Sequence, residues 1–342
     1  MKKSTLLILM AVSTFLFMSC GNKQEAAGDG KLSLAVFVPG VLAGSPTYEM
    51  MDKGVRKAAS EFDNVSVKTI EGGYNQGEWL SQVTALAASK EYDIIFTSNP
   101  SLPELCAEAQ KSYPDQKFVI WDGYRENQPN MATMRFNDRE LAFLLGHLAR
   151  QITQGQMPLA NPDQKIGLIV GQEYPVMNGA IIPGFKQGVL ALGEGTEVDI
   201  RVVGNWYDAG KATELANSMF DSGVDVILTI AGGANQGVVA AAKERGKYVL
   251  WYNTDGYSID SHIVGSGLLL ADKAAYEWTK KALEGTLEYN KAITVGVKEG
   301  YIDFISDNKN YIKQVSPEIQ QAQSQLMDRL KKGELTLSMP KL

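Results

Sequence analysis

From Lys31 onward, short β-rich runs alternate with longer stretches of helical period, the signature of parallel sheets covered by helices on both faces. Strands are expected over Leu32–Val38, Val65–Glu71, Ile94–Thr97, Lys117–Trp121 and Met131–Arg135. A second series follows over Lys165–Val170, Asp199–Val203, Val226–Thr229, Tyr248–Tyr252 and Ile263–Gly267. Between them the pattern predicts helices over Tyr48–Glu61, Trp79–Ser89, Leu102–Tyr113, Asp138–Gln154, Pro183–Leu192, Lys211–Ser222 and Gln236–Arg245. The two series are separated at Gly155–Asp163, GQMPLANPD, where two prolines and turn formers stop the preceding helix.

After Asp260 the pattern adds a helix over Asp272–Leu283, an extended segment over Thr294–Lys298 and an amphipathic helix over Pro317–Lys332, closed by Gly333. That tail is surplus to two independent domains. It is what a bilobal chain needs if it crosses between lobes several times and completes both sheets at its end. The implied lobes are residues 31–155 plus about 260–293, and residues 156–259 plus about 294–342. Ligands of open α/β sheets sit outside the carboxyl ends of the strands, so two such lobes facing each other make a cleft that closes about a hinge.

Composition narrows the function. Hydrophobic residues at 44% and charged residues at 21% are globular values. The formal charge of −6, with no basic patch interleaved with aromatics, gives nucleic acid nothing to bind. There are two cysteines and two histidines, and no HExxH, no GxSxG and no cysteine or histidine cluster, so neither a metal site nor a catalytic nucleophile is expected. Cys106, beside Leu105 and Ala109 in a helix, reads as a small buried hydrophobe. His147 reads as packing in LAFLLGHLAR, and His262 lies in a loop beside Asp260.

Residues 1–20 carry Lys2 and Lys3, an apolar run from Leu6 to Phe17 too short for a stable membrane span, and Ser19 before Cys20. This resembles a bacterial lipoprotein signal whose lipobox is Phe17-Met18-Ser19-Cys20. The resemblance implies a product that begins at acylated Cys20, anchored on an extracytoplasmic or periplasmic membrane face by more than one chain. Gly21–Gly30, GNKQEAAGDG, reads as a polar tether.

Five segments in order are IIFTSNPSLPELCAEAQKSYPDQKFVIWDG, MRFNDRELAFLLGHLA, KIGLIVGQEYPVMNGAIIPGFKQGV, GVDVILTIAGGANQGVVAAAKERGKYVLWYNTD and ITVGVKEGYIDFISDNK. Together they resemble the basic membrane protein family of substrate-binding lipoproteins, which includes purine-nucleoside receptors of ABC importers. The resemblance spans nearly the whole chain after the leader. It implies a type I periplasmic-binding-protein fold: α/β, two Rossmann-like lobes, a ligand cleft and hinge crossovers. It also implies a small-molecule ligand, an ABC permease as partner, no cofactor and no catalysis; the chain is expected to be monomeric.

Ligand positions carried over from the family are altered here. The loop after the first strand keeps an aromatic as Tyr48, while the family's aspartate is replaced by Pro39 and its asparagine by Glu49. Where the family has two aspartates one residue apart, this chain has Asn253 and Asp255, and the lysine expected further on falls at Leu269. Loss of a lysine and an aspartate together is chemically coherent, because either alone stays unpaired in a closed cleft. A flat aromatic ligand with neutral hydrogen-bonding groups is implied, with Tyr48 on one face and Trp206, in GNWYD, on the other. In this the chain is similar to the riboflavin-binding offshoot of the family, so riboflavin is the first expected ligand and a purine nucleoside the second.

The remaining candidates are Asn99, Asp122, Asn235, Gln236, Asn253 and Asp255, short polar residues in loops that follow strands, where Asn and Asp also serve simply to make turns. GGANQG, residues 232–237, is a glycine-rich strand-to-helix turn with exposed backbone donors, but its spacing is not GxGxxG. Trp79, Trp121, Trp251 and Trp278 are assigned to the core or hinge. Two readings from other classes stand beside capture: a surface nucleosidase using Asp122 or Asp255 as acid or base, and a surface adhesin whose binding fold has lost its cleft.

Overall fold

The computed structural model describes residues 31–154 and 157–340. Cys20 and the tether Gly21–Gly30 lie outside the described residues.

The first sheet is built from β1 (Leu32–Val38), β2 (Val65–Glu71), β3 (Ile94–Ser98), β4 (Lys117–Trp121), β5 (Met131–Phe136) and, from late in the chain, β11 (Lys291–Val295). Its order is β11-β5-β4-β3-β1-β2, all parallel. The second contains β6 (Lys165–Val170), β7 (Glu197–Val202), β8 (Val224–Ile230), β9 (Tyr248–Trp251), β10 (Ile263–Leu269) and β12 (Ile302–Phe304). Its order is β12-β10-β9-β8-β6-β7, parallel except where β12 runs against β10. Each sheet thus repeats the strand order of the other.

Burial on both faces explains the apolar runs. Along β1, Leu34, Val36 and Val38 join the core continuous with the second lobe, while Ala35 and Phe37 face a separate core with Val83, Leu102 and Cys106. The second set is covered by α2 (Gln76–Ser89) and α3 (Leu102–Gln110). Cys106 is fully buried, as a small hydrophobe in that core. Each large aliphatic side chain placed this way contributes about 1.5–3 kcal/mol of transfer free energy. The tryptophans Trp79, Trp121, Trp251 and Trp278 are all buried, as the sequence implied.

The chain crosses between lobes at three places: Asn137, between β5 and α4 (Asp138–Gln154); Leu270, between β10 and α8 (Ala271–Leu283); and the segment between β11 and β12. This corrects the expected boundaries. Helix α4 packs against α5 (Ile182–Leu190) and on β6, β8 and β10, all in the second lobe. The approach to α5 is backbone to backbone, since a Cβ on Gly146 would stand 2.2 Å from the Phe185 carbonyl. Strand β10, placed by sequence with the first lobe, pairs with β9 in the second sheet. Helix α8 does return to the first lobe, against α1 (Pro46–Ala59). The proline-rich break therefore joins two elements of one lobe, and the first crossing is the short step through Asn137.

The last described segment straps this hinge. Asn137 Nδ2 donates to the Leu337 carbonyl at 2.7 Å, Arg135 Nη1 to that of Pro340 at 3.2 Å, and Arg139 Nη1 to that of Ser338 at 3.4 Å, while Leu337 itself is buried.

Candidate functional site

The loops that leave the carboxyl ends of the two sheets bring a set of polar and aromatic groups together. In the first lobe, Tyr48 stands in the first turn of α1, half-buried, with the Asn99 and Asp122 side chains beside its hydroxyl. Burial pushes that hydroxyl up to about 12, an effect that hydrogen bonding by Asn99 reduces and the charge of Asp122 increases. Asn99 Oδ1 is engaged by Ser101, from its N–H at 3.0 Å and its hydroxyl at 2.8 Å, at the start of α3.

Asn99 and Asp122 end β3 and β4 with φ of 139° and 53°, and Asn253 follows β9 with φ of 75°. Left-handed backbone at non-glycine residues costs of order 1 kcal/mol or more each. Three such residues at the carboxyl ends of strands concentrate backbone strain in the loops that leave the two sheets. The Asn253 Oδ1 is buried without a hydrogen-bond partner.

Trp206 sits in the loop between β7 and α6 (Ala209–Asp221) and is 37% exposed. Asn205 Oδ1 accepts from the N–H groups of Tyr207 and Asp208, and Asp208 caps α6 by accepting from Lys211 N at 2.8 Å, so the turn that carries the indole is fixed on both sides. The ring lies against Gly171, where an added Cβ would stand 2.5 Å from an indole carbon, and Nε1 donates to Gln172 Oε1 at 2.7 Å. The result is a rigid aromatic surface at the edge of the second lobe.

Three groups absent from the sequence-derived set complete the region. Tyr174, in the loop after β6, tilts against Trp206 with ring centroids 6.1 Å apart, and its hydroxyl feels the charges of Asp138, Asp122 and Tyr48. Tyr252, buried at the end of β9, donates its hydroxyl to Asp138 Oδ1 at 2.8 Å. Asp138 opens α4 immediately after the first crossing and is 5% exposed. Desolvation pushes its carboxyl up to about 6, against the opposing hydrogen bond from Tyr252 and the charge of Arg135. Asp122 is partly exposed, yet crowding by protein desolvates it, and together with the charge of Asp138 this holds its carboxyl well above the usual carboxylate range. Little signals these roles in sequence: Asp138 reads as an ordinary first-turn acid, Tyr252 as the last residue of a strand and Tyr174 as part of a turn before Pro175.

Other expected positions are placed differently. Asn235 is buried, and its Oδ1 accepts from Ala231 N at 2.7 Å and Thr229 Oγ1 at 2.6 Å, holding the GGANQG turn onto α7 (Asn235–Arg245). Gln236, on the same helix, is exposed. Asp255 is exposed and turns back to accept from Tyr257 N at 2.9 Å. Leu269 is a buried strand residue paired with Ile302. Among the described residues no group of His, Cys, Asp and Glu is arranged to hold a metal ion, and no helix is long and apolar enough to cross a membrane.

Residues 31–335 match the family described as ABC transporter substrate-binding protein PnrA-like. Basic membrane protein A of Borreliella burgdorferi is 25% identical over 336 residues, which is 95% of this chain and 94% of that protein. The ABC transporter nucleoside-binding protein BmpA of Lactococcus lactis is 24% identical over 269 residues, 73% of this chain and 72% of that one. A crystal structure of an ABC transporter solute-binding protein from Aeropyrum pernix superposes with a TM-score of 0.78 at 23% identity, covering 91% of this chain and 94% of the other. A glucose-galactose binding protein from Geobacillus stearothermophilus shares the fold at a TM-score of 0.59 over 80% of this chain and 97% of its own.

Proposed function

Because the chain belongs to the PnrA-like family of ABC transporter substrate-binding proteins, we propose that its cleft captures a planar heteroaromatic nutrient, riboflavin first and a purine nucleoside second, and delivers it to a membrane permease. Membership in a family of transporter binding proteins sets aside the nucleosidase: the protein carries substrate and does not convert it. The observation that carries the ligand class is the indole of Trp206, exposed yet locked by Gly171 and Gln172, in contact with Tyr174, whose hydroxyl shares an electrostatic field with Tyr48 of the other lobe. Two aromatic surfaces carried by separate lobes suit a flat ring that enters the open cleft and is enclosed by hinge closure.

Riboflavin is preferred because the positions where the family's charged ligand contacts are expected hold Pro39, Asn253 and buried Leu269. The purine-nucleoside reading draws on the nucleoside-binding relative in Lactococcus lactis. Anchoring through Cys20 and an extracytoplasmic location belong to the same proposal, since they place the cleft where nutrient arrives. Calorimetry with riboflavin and inosine on protein purified without refolding tests it. Tighter binding of riboflavin supports the first reading, far tighter binding of inosine restores the nucleoside, and failure of both removes the ligand class.

A further inference from the structure

Residues 334–340 follow α10 (Pro317–Lys331) as neither helix nor strand. That helix belongs to the second lobe, since it packs on α4 and Gln323 Nε2 donates to the Leu144 carbonyl at 3.2 Å. The segment after it offers three carbonyls to donors that stand on both sides of the first crossing. Arg135 lies on β5 in the first lobe, Asn137 is the crossing itself, and Arg139 lies in the first turn of α4 in the second lobe. They donate to Pro340, Leu337 and Ser338 respectively. Each arginine is also bound to its own lobe, Arg135 Nε to Thr294 Oγ1 on β11 at 3.0 Å and Arg139 Nη2 to Gln187 Oε1 on α5 at 2.9 Å. Each therefore moves with its lobe, whereas their acceptors sit close together on one short piece of chain of fixed reach. A rotation at Asn137 that displaces Arg135 against Arg139 strains or breaks a contact. The third crossing is bound into the same cluster. Asn137 N–H donates to the Val295 carbonyl and Val297 N–H to Glu140 Oε2, each at 2.8 Å, and a Cβ on Gly296 would stand 2.2 Å from that carboxylate oxygen.

We propose that residues 334–340 are an interlobe strap that sets the angle between the lobes. Docked, the strap holds the lobe orientation of this structure; released, it frees the hinge to rotate at Asn137. Two of its three donors are guanidinium groups, whose hydrogen bonds are stronger than neutral ones, and Leu337 supplies an apolar anchor in the core. The other side chains of the strap are exposed or half-buried, so it is joined to the body by few contacts and is a segment that can open locally while the lobes stay folded. The inference goes beyond the ligand assignment and holds whichever compound the cleft takes.

The test measures the distance between lobes in ligand-free protein by double electron–electron resonance, with spin labels on Gln76→Cys and Lys211→Cys. These exposed sites open α2 and α6, beside the edge strands β2 and β7 that lie farthest in sheet order from the crossings. The full chain carries Cys20→Ala, and the other cysteine, Cys106, is fully buried. The protein with its strap should give one narrow distance distribution. Deletion of residues 334–342 should raise the share of molecules outside that distribution by about tenfold. If the deletion is not folded by circular dichroism, Leu337→Ala takes its place, with a rise of about threefold expected. An unchanged distribution in a folded variant, even one of lower thermal stability, makes the segment a structural tail and overturns the proposal. A distribution already as broad with the strap as without it overturns the proposal equally.

Discussion

In each lobe the strand third from one edge ends in a buried tryptophan and hands over to a left-handed polar residue. It is Trp121 then Asp122 after β4 in the first lobe, and Trp251, Tyr252, then Asn253 after β9 in the second. The same backbone device therefore delivers an acid on one side and a neutral amide behind a tyrosine on the other. Past another equivalent pair of strands, β1 and β6, stand Tyr48, in the first turn of α1, and Tyr174, in a loop. The second lobe adds a partly exposed indole, Trp206, whereas Trp79, Trp121 and Trp278 of the first are buried. The comparison teaches a division between the lobes: desolvated acids on the first lobe and at the crossing, Asp122 and Asp138, and a partly exposed indole on the second, Trp206.

Removing the second lobe's surface breaks the comparison most strongly. Trp206→Ala is expected to cost about 2–3 kcal/mol of binding, roughly 30- to 150-fold in Kd, as ring contact and stacking are lost together. Wild-type affinity in that variant, measured by calorimetry, ends the platform argument. On the first lobe, Tyr48→Ala should weaken binding by about 1.5–2 kcal/mol, whereas Tyr48→Phe, which keeps the ring, should lose less than about 1 kcal/mol. Equal losses in the two variants make the hydroxyl, and not the ring, the working part.

Asp138 offers a test in the ligand-free protein. Its carboxyl ionises higher in the fold, about 6, than in the unfolded chain, so it is no burden while protonated in both states and becomes one as pH rises through that window. Asp138→Asn keeps an acceptor for the Tyr252 hydroxyl and removes the charge. Its stability advantage over wild type should be small near pH 4, grow to about 1–2 kcal/mol by pH 7, and then level off. A denaturation difference independent of pH contradicts the buried-acid description. The smallest expected effect is Cys20→Ala: unchanged ligand affinity of the protein, with loss of lipid labelling. Normal labelling of that variant sinks the anchor.

Much of the fold was legible because parallel strands leave compact β-branched runs, mostly buried in β1, β4 and β6 and only partly buried in the edge strand β2, and these four strands begin and end where those runs do. Strand β12, three residues long, and α9 (Lys309–Gln314), six residues long, are too short to leave a period. Lobe membership was harder. Nothing local to Asn137 marks a crossing, because its evidence lies in partners far along the chain, the Val295 and Leu337 carbonyls. Among the candidate site residues, Asn99, Asp122 and Trp206 were readable as loop residues after strands, and Tyr48 through the family resemblance. Asp138, Tyr174 and Tyr252 were not, since their meaning depends on which groups of the other lobe they face. Asn235 shows the converse, a strand-end amide whose oxygen serves its own turn.

The central claim, a planar ring held between lobes that divide charge and aromatic surface, is met most directly by identifying what the protein carries when purified under native conditions. Mass spectrometry and absorbance of the ligand released by denaturation should reveal a heteroaromatic compound, with the yellow absorbance of a flavin as the first expectation. Release of a sugar, an amino acid or another compound without a flat aromatic ring would contradict the account.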